Sequence, residues 1–361
     1  MDSQNNPLNP AFISLVRPTL QLIKQASGYL FAFVCLVWVL RGFRFNEFLK
    51  SIPTIRWRWV LLAIMLDILS YLCQGLRWQF LLRPVGTLSI WQATQAIYTG
   101  LFINEILPMR LGELVRAYLV SRWLSVVFSS VIPSLVMERL LDGIWLIITL
   151  GLMTIFVPLP KDLLETAGLS AMLVLTVISP FIYVIFRKSA KTPTDKDRKI
   201  SSNLSVNTLS LRCLITSFLG NLIHGLQNIG LSRFFYLALS LSFLVLSLQA
   251  LVFWLVMWAY GLRLPFWVGA AVFLIVHLGT AIPTAPANVG TYQFFCMVGL
   301  TLFGVEKPLA AGFSMVVFIL LTGPIWIIGF LAMSYSGTTW RTLRKEINKL
   351  PYNRENQVSS E

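Results

Sequence analysis

"INEILPMRLGELVRAYLV" (residues 103–120) sets Glu105, Arg110, Glu113 and Arg116 around Pro108 and Gly112 in otherwise apolar sequence. Proline has no N–H and its ring clashes with the preceding turn, so Pro108 ends one helix. Gly112 sits at the start of the next, and Glu113 and Arg116, three apart, share a face of it. The segment before the break, Leu88 to Leu107, is long enough to cross a membrane but carries Gln92, Gln95, Asn104 and Glu105. Such a segment suits a re-entrant helix packed inside protein better than a lipid-facing span. Arg110, Glu113 and Arg116 would then cluster, with excess positive charge, at a helix N-terminus whose free N–H groups also attract anions. A phosphate headgroup needs that combination. An ionic lock that pins the re-entrant segment is the alternative of equal weight.

The rest of the chain fits this setting. Of 361 residues 56% are apolar and 12% charged, with a mean hydropathy of +0.73, a balance foreign to water-soluble domains of this length. A hydrocarbon core of about 30 Å takes about 20 apolar helical residues. Trp59 to Leu82, Ser130 to Val157, Leu169 to Phe186, Phe234 to Tyr260 and Leu309 to Met333 meet that length, and Ser27 to Leu40 does so if it starts near Leu20. The expected fold is therefore all-α: a polytopic membrane helical bundle of about six full spans plus two re-entrant or broken helix pairs. The net charge of +14 is spread between the spans, which favours anionic lipid headgroups over nucleic acid. Cys35, Cys73, Cys213 and Cys296 stand far apart in apolar stretches, and His224 and His277 stand alone, so disulfide, metal and cofactor roles are not expected.

Basic residues concentrate on the cytoplasmic side of membrane proteins. By that rule the loop "RKSAKTPTDKDRK" (187–199) and the tail after Met333, with Arg341, Arg344, Lys345, Lys349 and Arg354, are cytoplasmic, and the segment Pro158 to Gly168 is outside. Residues 1–333 form the transmembrane domain and 334–361 a basic tail. The loop bearing Arg41, Arg44, Lys50, Arg56 and Arg58 resists the scheme. It is outside if Leu88 to Leu107 is re-entrant, the preferred reading, and cytoplasmic if that segment crosses. The first apolar stretch is followed by "RGFRF" rather than small residues and reads as an uncleaved anchor.

A second break appears late in the chain, where Pro265 to Ile282 runs into "PTAPANVG" and then about a dozen apolar residues. Broken helices in comparable positions of two halves point to inverted repeats around a central site. The residue match between halves, "LPMRLG" against "IPTAPANVG", leaves that reading open. "VMERLLDG" buries Glu138, Arg139 and Asp142 within a span, where an unpaired charge costs about 3 kcal/mol. Glu138 and Asp142, four apart, share a face. They either balance the arginines of the first motif or take up a proton, against the plainer reading of an interhelical salt bridge. Asp67, Tyr71, Gln74 and Arg77 or Trp78 recur on one stripe of the second span, facing the bundle, while Trp78 and Arg83 read as interfacial anchors.

"GLRWQFLL" (75–82), "YTGLFINEILPMRLGELVRAYLV" (98–120), "MERLLDG" (137–143) and "IPTAPANVG" (282–290) occur in that order. Together they resemble the flippase-like family of the lysylphosphatidylglycerol synthase transmembrane region, over nearly the whole chain. The resemblance implies a multi-pass prokaryotic plasma-membrane protein that moves lipids or lipid-linked intermediates between leaflets. It places Pro108, Arg110, Gly112, Glu113 and Arg116 in the family's first motif and Glu138, Arg139 and Asp142 in the second. The late motif, with Pro286, Asn288 and Gly290, is less glycine-rich than the family pattern and has Gln293 where that pattern ends near a glutamate, which counts against a proton-coupled mechanism drawn from the family. Bifunctional relatives add a soluble aminoacyltransferase domain. Here a short basic tail follows, and lysyl transfer is not expected.

No nucleotide-binding loop, nucleophile elbow or HExxH is present. The leading expectation is lipid transport, with Arg110, Glu113, Arg116, Glu138, Arg139, Asp142, Asp67 and Asn288 as binding residues and an anionic phospholipid or polyprenyl-phosphate-linked glycan as substrate. The competitor is an enzyme, or a membrane subunit serving a glycosyltransferase that uses polyprenyl-phosphate sugars, since diphosphate chemistry also wants arginines. A small-solute or ion pathway ranks third.

Overall fold

The computed structural model describes residues 27–41, 43–45, 48–49, 52–107, 110–156, 233–281 and 285–337, with isolated positions between 172 and 183 and at 226 and 229. Those residues are mostly helical, with no strand among them. After α1 (Ser27–Arg41) come α2 (Trp57–Leu82), α3 (Ile90–Ile106), α4 (Gly112–Trp123) and α5 (Phe128–Phe156). The second group is α6 (Arg233–Tyr260), α7 (Phe266–Gly279), α8 (Thr291–Leu302) and α9 (Lys307–Tyr335). Most of the expected span Leu169 to Phe186, the segments 158–168 and 187–199, Pro108, Cys213, His224 and the tail beyond 337 lie outside the described residues.

Both groups run long, short, short, long: 26, 17, 12 and 29 residues, then 28, 14, 12 and 29. At 1.5 Å per residue the short helices reach about 18 to 26 Å, less than a bilayer core, whereas the long ones exceed it. The short pairs are thus hairpins that enter and return. Local chemistry starts and stops them. Ser89 caps α3 through a reciprocal pair, its Oγ accepting from the Gln92 N–H at 3.2 Å and its own N–H donating to Gln92 Oε1 at 3.1 Å. Gly290, at φ +90°, starts α8, and its N–H donates to Gln293 Oε1 at 2.7 Å. A Cβ on Gly290 would run into the Ala32 carbonyl of α1.

The two groups are related by inversion. α2 and α6 pack antiparallel along their length: the Arg56 N–H donates to the Ala259 carbonyl at 3.0 Å at one end, and the Phe80 and Phe234 rings stack at 5.8 Å at the other. The main pairings between α-helices in one group have counterparts in the other: α3 lies on α9 as α7 lies on α5, and α2 meets α5 as α6 meets α9. Hairpin α3–α4 leaves from the C-terminal end of α2 and hairpin α7–α8 from that of α6, so they enter from opposite faces. The inverted repeat left open by the sequence is therefore present in the backbone.

Two apolar cores result. One joins the N-terminal half of α2 to the C-terminal half of α6 with α7, α8 and α9. The other joins the remaining halves of α2 and α6 with α3, α4 and α5. The outer faces carry large exposed apolar side chains such as Met65, Leu237 and Ile327, as lipid contact requires. Between the two cores, α2 and α6 each turn a polar stripe inward.

Candidate functional site: a charged seam between two re-entrant hairpins

The seam is built from both hairpin tips. Hairpin α3–α4 closes tightly: the Gly112 N–H donates to Asn104 Oδ1 at 2.7 Å, and a Cβ on Gly112 would overlap the Gly100 carbonyl. Its tip carries Arg110 in the left-handed backbone region at φ 52°. The opposing tip, Pro286–Asn288, holds Ala287 at φ 56° and Asn288 at 53°. Three of the four non-glycine residues with positive φ among those described therefore lie at these tips, a concentration typical of sites that are over-determined by their surroundings. Arg110 Nη2 reaches across and donates to the Thr280 carbonyl at the end of α7, 2.6 Å away.

Behind the tips lies a lattice of ion pairs. Arg77 of α2 donates to Glu138 Oε1 at 2.9 Å, to Asp142, and to Ser242 Oγ of α6 at 3.0 Å. Arg116 of α4 takes the other oxygen of Glu138 at 3.0 Å and stacks over the Trp78 ring at 4.9 Å. Arg139 bridges Glu113 at 2.9 Å and Asp142 at 3.4 Å. Arg77 and Glu138 are 2% exposed, so their charges are tolerable only because each is paired. Within this group four guanidinium groups face three carboxylates. Arg110, with a carbonyl as partner and no carboxylate within ion-pair distance among the described residues, is the one in excess.

A cavity of about 230 Å³ opens against the lattice. Of the sequence candidates it is lined by Arg110, Glu113, Glu138, Arg139, Asp142 and Asn288, together with Arg77. Apolar Trp145, Leu146, Val245 and Leu246 wall it along the α5–α6 seam. A second chamber of about 220 Å³ contains Asp67. The two share Tyr71, Glu105, Gln249, His277, Ala287 and Asn288. The stripe on α2 faces the bundle as expected.

Four expectations change. The expected cluster of Arg110, Glu113 and Arg116 is not a closed set: Glu113 pairs with Arg139 of α5, because the short helix buries Arg116 inward against Glu138. Arg116 is consequently outside both cavities, 5% exposed. The N-terminus of α4 does not offer all its N–H groups, since Asn104 occupies that of Gly112. Trp78 is not an interfacial anchor: it is fully buried, with Nε1 donating to Ser134 Oγ at 3.0 Å. The sequence reading undervalued Arg77, Glu105 and His277. For Arg77 the spacing from Asp67, ten residues or nearly three turns, was the available signal.

The family model described as the lysylphosphatidylglycerol synthase TM region matches residues 25–329. A UPF0104 membrane protein of Methanocaldococcus jannaschii is 24% identical over 326 residues, covering 87% of this chain and 95% of its own. Another, of Methanothermobacter thermautotrophicus, is 23% identical over 305 residues, 78% of this chain and 86% of its own.

Proposed function

From the premise that the chain belongs to the lysylphosphatidylglycerol synthase transmembrane-region family, a family of helical membrane proteins, we propose that it translocates an anionic lipid or lipid-linked intermediate between leaflets. The observation that carries this reading is Arg110: a guanidinium on a re-entrant tip that lines the cavity with a neutral carbonyl as its partner and no carboxylate within ion-pair distance among the described residues. A phosphate oxygen offers it a full countercharge, whereas the Thr280 carbonyl is a neutral acceptor. Asn288 on the opposing tip adds an amide donor. Glu113, Glu138 and Asp142 hold Arg139, Arg77 and Arg116 in place and keep the cavity from trapping an anion too tightly for release. Apolar Trp145, Leu146, Val245 and Leu246 give acyl chains a lateral path along the α5–α6 seam, so the headgroup alone enters.

The inverted hairpins support alternating exposure of one central site to the two faces. The topology also supports an orientation in the plasma membrane. α1 ends beside α9's start, with Trp38 against Phe294 at 5.1 Å and Lys307 over Trp38 at 5.6 Å. The N-terminal end of α1 and the C-terminal end of α9 therefore share a face, and the basic residues after 340 make that face cytoplasmic in this reading. The loop bearing Arg41 and Arg44 is then outside.

The test is leaflet exchange of fluorescent anionic and zwitterionic phospholipids, and of a polyprenyl-phosphate sugar, in liposomes. Exchange accelerated by wild-type protein and abolished in a folded Arg110→Ala variant is expected. Failure to move any of these lipids would leave the charged seam as a lock between helices and turn the search toward a glycosyltransferase partner.

A further inference from the structure

The second chamber lacks the arginines of the first. Asp67 enters it from α2 and Glu105 from α3, and no arginine or lysine lines it. Asp67 is 4% exposed, and its Oδ2 has no hydrogen-bond partner among the described residues; Glu105 is partly buried, with the Trp326 indole N–H as a donor to its carboxylate and only Oε2 without a partner. The surrounding walls add oxygen-bearing groups from every neighbouring helix: Gln249 of α6, Thr280 at the end of α7, Asn288 of the tip, Tyr292 of α8 and Thr322 of α9. The titratable groups facing Asp67 besides Glu105 are Tyr71, Tyr292 and His277, with Tyr98 of α3 packed against Tyr71 at 5.2 Å.

A buried carboxylate without a donor needs a positive partner. The basic residues of the first chamber do not supply one: Arg77 and Arg139 are bound to Glu113, Glu138 and Asp142, and Arg110 to Thr280. Hard oxygen ligands with only two carboxylates, and no convergence of three His, Cys, Asp or Glu among the described residues, suit a monovalent ion rather than a calcium or transition-metal site. The volume holds an ion with part of its water, since a water occupies about 30 Å³ of liquid.

We propose that this chamber, centred on Asp67 and Glu105, binds an alkali-metal cation of the Na⁺ class. Glu105 borders both chambers, so the ion sits beside the Arg110 cavity and offsets the acidic side of the wall between them. The site stands on the geometry of the second chamber, independent of which lipid, if any, the first one takes.

The experiment uses purified full-length protein in detergent at fixed pH and ionic strength. Thermal unfolding is compared in sodium, potassium, lithium and choline chloride, and ²²Na⁺ binding is measured by scintillation proximity. Wild type and Arg110→Ala should unfold several degrees higher in sodium than in choline and bind ²²Na⁺ saturably, and Asp67→Asn should lose both. If Asp67→Asn fails to fold, weakened ²²Na⁺ binding by Thr322→Val, with wild type saturable, supports the site. Equal unfolding in all four salts with no saturable ²²Na⁺ binding would overturn it and leave the carboxylates carrying protons. Loss of ²²Na⁺ binding in Arg110→Ala but not in Asp67→Asn would place the ion elsewhere and overturn it equally.

Discussion

Glu138 and Arg110 separate the two roles a buried charge can play. Glu138 is held on both oxygens, by Arg77 and Arg116, and is 2% exposed. Replacing it with alanine leaves two guanidinium groups facing each other in the low-dielectric interior. Breaking a buried pair from one side costs roughly 3–5 kcal/mol, so Glu138→Ala should unfold far below wild type in a detergent melt, whatever the lipid. Arg110→Ala removes one hydrogen bond from a charged donor to a carbonyl, about 1.5–3 kcal/mol, and should melt well above Glu138→Ala while losing leaflet exchange. If the two variants melted alike, Arg110 would belong to the lock as well. Much of this was open to reading in the sequence, because charges inside an apolar span must find partners and the first two motifs supply equal numbers of each sign. The choice of partners was not. Glu113 and Arg116 share a helix face by spacing, yet tertiary packing turns Arg116 toward α5 and leaves Glu113 to Arg139. Arg77 stays inside rather than reaching for water because Glu138, Asp142 and Ser242 meet all of its terminal nitrogens.

Hairpin α3–α4 depends on backbone approach rather than on side-chain attraction. Gly100 and Gly112 face each other so closely that a Cβ on Gly112 would overlap the Gly100 carbonyl, and one on Gly100 would stand 2.7 Å from the Gly112 oxygen. Gly112→Ala should therefore force the short helices apart, shifting Arg110 and exposing Asn104. A loss above about 2 kcal/mol is expected, in line with overpacking a tight contact. Gly151→Ala in α5 is the matched control, since among the described residues nothing lies within 4 Å of the added carbon. There the change should stabilise by roughly 0.5–1 kcal/mol through helix propensity. Equal melting temperatures for the two variants would sink the close-approach argument. At this scale the sequence was most informative about where elements begin and end. Proline and glycine mark the breaks, apolar length picks out α2, α5, α6 and α9, and the polar residues within Leu88 to Leu107 set α3 apart from them. It could not show that Ala287 takes left-handed backbone, a conformation that Asn288 beside it visits readily and alanine rarely does.

Inversion is a property of the whole molecule, and residue identity hardly carries it: the halves share a helix-length pattern and a contact pattern, while charges crowd into α4 and α5 and are absent from the interior of α8 and α9. Divergence of that kind is expected where both halves face one central site with different duties, one hairpin pairing charge and the other supplying wall. The consequence is a fixed topology. The α2–α3 and α4–α5 connections, at residues 83–89 and 124–127, lie on one face with the end of α9. The α6–α7 and α8–α9 connections, at 261–265 and 303–306, lie on the other. Single cysteines placed at exposed positions of a chain whose four native cysteines are replaced, Val127→Cys and Gly337→Cys against Arg263→Cys and Glu306→Cys, read this directly in sealed vesicles. A membrane-impermeant maleimide should label the first two from one side and the last two only from the other. Labelling of Val127→Cys and Glu306→Cys from the same side would mean that at least one hairpin crosses the bilayer, and the inverted repeat, together with alternating exposure of the Arg110 cavity, would fall with it.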